Sequence, residues 1–85
     1  MSSVYVLINT FAKVREFQTV VSKFEGRFEL LQGHYIVNAK SLLGIFGLDI
    51  SCPIRLDYTT SEPTIMVEDA LKPFITDSCE EESGE

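Results

Sequence analysis

Apolar residues open the chain almost without a break. Val4, Tyr5, Val6, Leu7 and Ile8 form a largely β-branched and aromatic run, which predicts a strand buried on at least one face. Asn9 and Thr10 follow, and both types cap helices by accepting a bond from an orphan backbone N–H. Val14, Phe17, Val20, Val21 and Phe24 then recur at three- and four-residue steps, the spacing of one helical face, while Lys13, Arg15, Gln18 and Ser22 fall elsewhere. Gly26, which accepts positive φ at little cost, predicts the stop. Residues 27–31 alternate as a strand, Gln32-Gly33 signals a turn, and residues 34–38 return as the partner strand of a hairpin. His34 opens that return strand in this reading.

Residues 41–48 predict a short helix that two glycines weaken. Residues 49–53 connect it to a half-buried strand over 54–58, where apolar and polar residues alternate. Val67, Ala70, Leu71 and Phe74 mark a last helix that opens near Pro63 and stops or kinks before Pro73, whose ring removes a donor and clashes one turn back. The order is β-α-β-β-α-β-α. It predicts an α+β, two-layer sandwich: a four-stranded antiparallel sheet with three helices on one face.

Charge changes this picture only at the end. The 85 residues carry a net charge of −6, and residues 77–85 hold five acids and no base. Without them, eight acids face seven bases, a net of −1. Residues 1–76 therefore read as the domain, and 77–85 as a disordered acidic tail with too little apolar surface to order itself. No basic stripe is present to neutralise phosphates, so nucleic acid is not an expected partner. No apolar run approaches the roughly 20 residues of a membrane span, and no basic leader precedes an apolar stretch, so a cytoplasmic protein without membrane contact is expected. Cys52 and Cys79 are far apart and read as free thiols, and no metal-ligand cluster or cofactor motif appears.

The element order, together with Asn38-Ala39-Lys40-Ser41-Leu42-Leu43-Gly44 at the junction of hairpin and second helix, resembles HPr, the histidine-containing phosphocarrier of the bacterial sugar phosphotransferase system. HPr proteins have an Ala-Lys-Ser-Leu/Ile type of segment there. The resemblance covers roughly residues 4–76. Counting back from Lys40-Ser41-Leu42 without gaps, Phe24 falls on a phenylalanine common at the end of the family's first helix. The family's phosphorylated histidine then falls on Thr10, its following arginine on Ala12, and the next proline on Lys13. Residues 1–33 contain no histidine at all. Imidazole suits reversible phosphate transfer because its phosphoramidate has high transfer potential and it titrates near neutrality. A threonine ester does not shuttle, so Thr10 reads as a helix cap and no catalytic residue is assigned. His34, the one histidine, reads as a strand-end residue outside any carrier role.

The resemblance implies two further roles. Ser41 matches the serine that a dedicated ATP-dependent kinase phosphorylates in HPr proteins of many Gram-positive bacteria. A phosphate at a helix start also meets orphan N–H groups and a favourable dipole. Capping alone equally accounts for a serine there. Leu42, Leu43 and Phe46 fall where HPr proteins expose an apolar docking patch. A short helix cannot bury Leu42, Leu43, Ile45, Phe46 and Leu48 all on one face, so one or two are expected outside. The expected function is an HPr-like regulatory or protein-binding module whose partners are phosphotransferase-system components or a regulator. It is not expected to be an enzyme, for want of a paired base and nucleophile or a phosphate loop. The alternative is a structural protein that pairs with its own copy through the second helix.

Overall fold

The structure, a computed structural model, describes residues 2–76; the acidic segment 77–85, with Cys79, lies outside the described residues. The elements are β1 (Ser2–Val6), α1 (Phe11–Ser22), β2 (Arg27–Gln32), β3 (Tyr35–Asn38), α2 (Leu42–Phe46), β4 (Ile54–Thr59), α3 (Thr64–Leu71) and β5 (Ile75–Thr76). All strand pairs are antiparallel, in the order β3-β2-β4-β1-β5.

The sheet has five strands rather than the four expected. β5 is two residues long, pairing Ile75 with Val6 and Thr76 with Tyr5. It follows Pro73 after one intervening residue, Phe74, and two residues are too few to show an alternation. Several boundaries also move: β1 covers Ser2–Val6 rather than residues 4–8, and α2 covers Leu42–Phe46 rather than residues 41–48. α1 ends at Ser22, earlier than Gly26 suggested. The hairpin turn is Gly33-His34, so His34 is an exposed turn residue and not the first residue of β3. α3 ends at Leu71, before Pro73.

Pairing register sorts the side chains. Val4, Leu56, Leu30 and Val37 form one row across the sheet, with Val6 and Ile54 on one side of it and Tyr58 and Phe28 on the other. This face joins Val14, Phe17 and Val21 of α1, Ile45 of α2 and Val67 and Leu71 of α3 in one core. All three helices therefore cover the same face. Phe28 and Tyr58 stack at 5.4 Å, and Phe17 meets Phe74 edge-on at 5.6 Å.

No helix among the described residues covers the opposite, open face. Its rows are Ser3–Asp57–Glu29–Asn38 and Thr76–Tyr5–Arg55–Leu31–Ile36. Asp57 sits at the centre of this face. Its Oδ1 accepts from Ser3 Oγ and from Arg55 Nε, each at 2.7 Å. Burial alone would raise the Asp57 carboxyl, but the Ser3 and Arg55 hydrogen bonds and the Arg55 charge together hold it below the usual carboxylate value of 3.8.

Two glycines are required by geometry. Gly26 has φ +119°, and a Cβ there would overlap the Thr59 carbonyl oxygen. The chain after α1 thus lies directly on the end of β4, where Thr60 Oγ1 also donates to the Glu25 carbonyl. Gly33 has φ +58° but open space around it. Gly26→Ala should therefore lose at least about 2 kcal/mol in urea denaturation, through strain plus overlap. Gly33→Ala should lose only about 1 kcal/mol, the backbone cost alone. Asp57 generates a second prediction. Its folded carboxyl titrates lower than the unfolded one, so its contribution is present above about pH 4 and lost as pH falls through the folded value. Asp57→Asn should flatten the acid limb of a stability–pH curve measured between pH 2 and 5.

Candidate functional site

Two helix starts and the aromatic contact between their helices make up the candidate site. Thr10 is the N-cap of α1: its backbone is extended, and its Oγ1 accepts from the Lys13 N–H at 3.1 Å. Its carbonyl accepts from Val14 N–H at 3.0 Å, opening the helical ladder. Both atoms are used as a cap uses them. Ser41 does the same for α2. Its Oγ accepts from Gly44 N–H at 3.2 Å, its carbonyl accepts from Ile45 N–H at 3.0 Å, and its side chain stays exposed.

The five helical residues of α2 divide by direction. Leu42 packs partly against the core and Ile45 is buried in it. Leu43 is 86% exposed and Phe46 is 37% exposed. Of the three residues expected in a docking patch, Leu43 and Phe46 therefore share an outer surface, while Leu42 turns inward. Gly44 lets this happen: a Cβ there would lie 3.3 Å from Ser41 Oγ and 3.4 Å from the Val37 side chain, so its absence lets α2 sit close on β3.

Sequence reasoning missed Phe11. It opens α1, lies off the buried stripe and is 60% exposed. Its ring stacks on Phe46 at 5.4 Å with 12° between planes. Phe11 stands one three-residue step before Val14, so spacing alone would place it on the inner face, and no sequence signal sets it outside. The stack carries the apolar surface of α2 across to the start of α1, beside Thr10. Behind Phe11, α1 and the end of α3 leave an open groove of about 640 Å³, lined by Arg15, Thr19, Ala70, Pro73 and Phe74 among others.

Spacing does not reveal the role of Lys40 either, because that role rests on contacts distant in the chain. Its ammonium donates to the carbonyls of Phe24 at 2.7 Å and Gly26 at 3.2 Å, and stands 5.3 Å over the Phe28 ring. A cation beside the carbonyls that follow α1 is favoured by their partial negative charge. The Lys40 carbonyl in turn accepts from Gln18 Nε2 at 2.9 Å, and its N–H donates to Asn38 Oδ1 at 2.8 Å. The segment presenting Ser41 is thus bolted to α1 and its C-terminal loop. The charge of Lys40 serves main-chain carbonyls and is not turned toward Ser41.

His34 lies in the hairpin turn, on a different element from Thr10 and Ser41. Cys52 is a partly exposed free thiol in the connector before β4. Among the described residues, no group of three or more His, Cys, Asp or Glu side chains could hold a metal ion, and no helix is long and apolar enough to cross a membrane.

No protein-family model matches the chain, and no curated protein does. Among solved structures it is similar to the crystal structure of HPr-C-His from Thermoanaerobacter tengcongensis. The TM-score is 0.73 at 24% sequence identity, over 86% of this chain and 89% of that one. The likeness establishes an HPr-like fold.

Removing either polar anchor should destabilise the domain to a different degree. Ser41→Ala should lose about 1 kcal/mol, the usual worth of an N-cap. Lys40→Met keeps the apolar stem but leaves two carbonyls without their charged donor, and should lose about 2 kcal/mol. Chemical denaturation of the two variants checks the order.

Proposed function

We propose that the chain is an HPr-like member of the phosphoenolpyruvate-dependent sugar phosphotransferase system that does not carry phosphohistidine and works as a regulatory, protein-binding module. The carrying observation is Thr10. In an HPr-like fold, the start of α1 bears a threonine whose hydroxyl already caps the helix, and the only imidazole lies in the β2–β3 turn. A phosphate on that hydroxyl would be a stable ester rather than a transferable phosphoramidate. This reading makes the chain a binding protein and not an enzyme, active in the cytoplasm without a cofactor.

Two features of the site support the binding half of the reading. Phe11, Leu43 and Phe46 offer an apolar surface with no covering element among the described residues. Ser41 is exposed at the head of the same helix. Transfer of the γ-phosphoryl group of ATP to Ser41 Oγ, with loss of its proton and release of ADP, would set a dianion beside that surface. A dianion next to an apolar contact opposes some partners and recruits those with arginines. Phosphotransferase-system components and transcriptional regulators are the partner classes this predicts. The competing reading, a structural protein without such partners, predicts no phosphorylation by either route.

Intact-mass measurement separates these. Incubated with Enzyme I and phosphoenolpyruvate, the protein should gain no acid-labile phosphate. Incubated with the HPr serine kinase and ATP, it should gain one acid-stable phosphate that Ser41→Ala abolishes. A labile phosphate in the first mixture would overturn the loss of carrier function, and an unchanged mass in the second would remove Ser41 regulation.

A further inference from the structure

The two edges of the sheet are finished differently. At one edge β5 has only two residues, and residues 77–85 that follow it carry five acids and no base. Short edge strands and charge are devices that keep a sheet from pairing with another chain. At the other edge β3 reads Tyr35-Ile36-Val37-Asn38, with no charged residue and no proline. Tyr35 is 66% exposed and Ile36 62%. Neither charge nor proline protects this four-residue strand.

The ladder fixes which main-chain groups are free. Ala39 N–H donates to the Phe28 carbonyl at 2.8 Å, so Ala39, Val37 and Tyr35 direct their groups into β2. Ile36 and Asn38 direct theirs outward. The Asn38 carbonyl is taken by Ser41 N–H at 2.9 Å. The N–H and C=O of Ile36 and the N–H of Asn38 are left pointing off the edge.

We propose that this edge is where two copies of the chain pair, β3 against β3 in antiparallel register about a two-fold axis, extending the five-stranded sheet to ten strands. A two-fold axis at Ile36 lets each Ile36 N–H meet the other copy's Ile36 carbonyl, so both free groups are satisfied by one symmetric contact. The pairing sets the two Ile36 side chains side by side on the open face. The row Tyr5–Arg55–Leu31–Ile36 then runs on into its own mirror sequence. On the helix-covered face, Tyr35 of each copy falls opposite Val37 of the other.

Charge selects a second copy as the occupant. β3 carries none, so it meets itself without like-charge opposition. The net charge of residues 1–76 is only −1. The acidic segments follow β5, four strands from β3, so about nine strand spacings, roughly 43 Å, separate their starting points in the pair. That is several times the Debye length of about 8 Å at physiological salt. At the far edge β5 offers only two residues to pair, so the assembly closes at two copies instead of growing into a fibre.

Sedimentation equilibrium of the full chain tests this. The expected mass is twice 9.6 kDa, with hydrogen exchange at the Ile36 amide slowed as concentration rises. Ile36→Lys, an exposed position, should give a monomer with an unchanged far-ultraviolet spectrum, while Leu43→Lys stays a dimer. The Ile36 amide readout needs only the unmodified protein, so it decides the matter even if a variant misfolds. A monomer up to about 1 mM overturns the proposal, as does a dimer that Leu43→Lys dissolves and Ile36→Lys does not. In the first case the edge would be free for a peptide of another protein; in the second, α2 would be the contact. Neither outcome bears on phosphorylation at Ser41.

Discussion

The row Val4–Leu56–Leu30–Val37 is the constraint from which the rest of the architecture follows. These four residues come from four strands and all face the same way. Leu56 and Leu30 are fully buried, with Val4 and Val37 packed against the same core. Leaving such a row in water would cost about 1.5–3 kcal/mol for each large side chain, so helices must cover it. Because strand side chains alternate, fixing this row also fixes the other face. Asp57 is then carried to the centre of the open side, where only Ser3 and Arg55 can satisfy it. The three helices are held by one surface, and their exposed faces are what remains for recognition.

That remainder is narrow. α1 gives its buried stripe to the core but leaves Phe11 at its first position outside. α2 is so short that Ile45 and Leu42 anchor it and Leu43 and Phe46 cannot follow them in. The stack of Phe11 on Phe46 joins these leftovers into one surface. Lys40 fixes the same region from behind by tying the loop before Ser41 to the carbonyls of Phe24 and Gly26. The helix that presents the candidate serine is thus held through a side chain that never touches it.

Much of the fold was legible because hydrophobic spacing speaks for long elements. Val14, Phe17 and Val21 marked the inner face of α1, and Pro73 marked where α3 must have ended. β5 was not legible: Ile75-Thr76 has no period, and only the presence of β1 beside it makes it a strand. The turn was misplaced by one residue because Gln32 and Gly33 are both polar or flexible, and register with β2 decides between them. At the site, Thr10 and Ser41 could be read as caps, since capping is local. Leu42 and Leu43 are adjacent and chemically identical, and only the angle at which α2 lies on β3 assigns one to the core. Phe11 and Lys40 depend on contacts with residues 46, 24 and 26, which spacing does not encode.

The sheet order has a consequence during synthesis. β1 pairs with β4 and β5 alone, so its neighbours in the sheet begin at residue 54. A ribosome adding about 5–20 residues per second takes roughly 2–10 s to make the stretch between them. For that interval the most continuous apolar run of the chain, residues 4–8, has no strand to join, although α1 and the β2–β3 hairpin can already form from neighbouring residues. The nascent first strand is the segment for which shielding matters most.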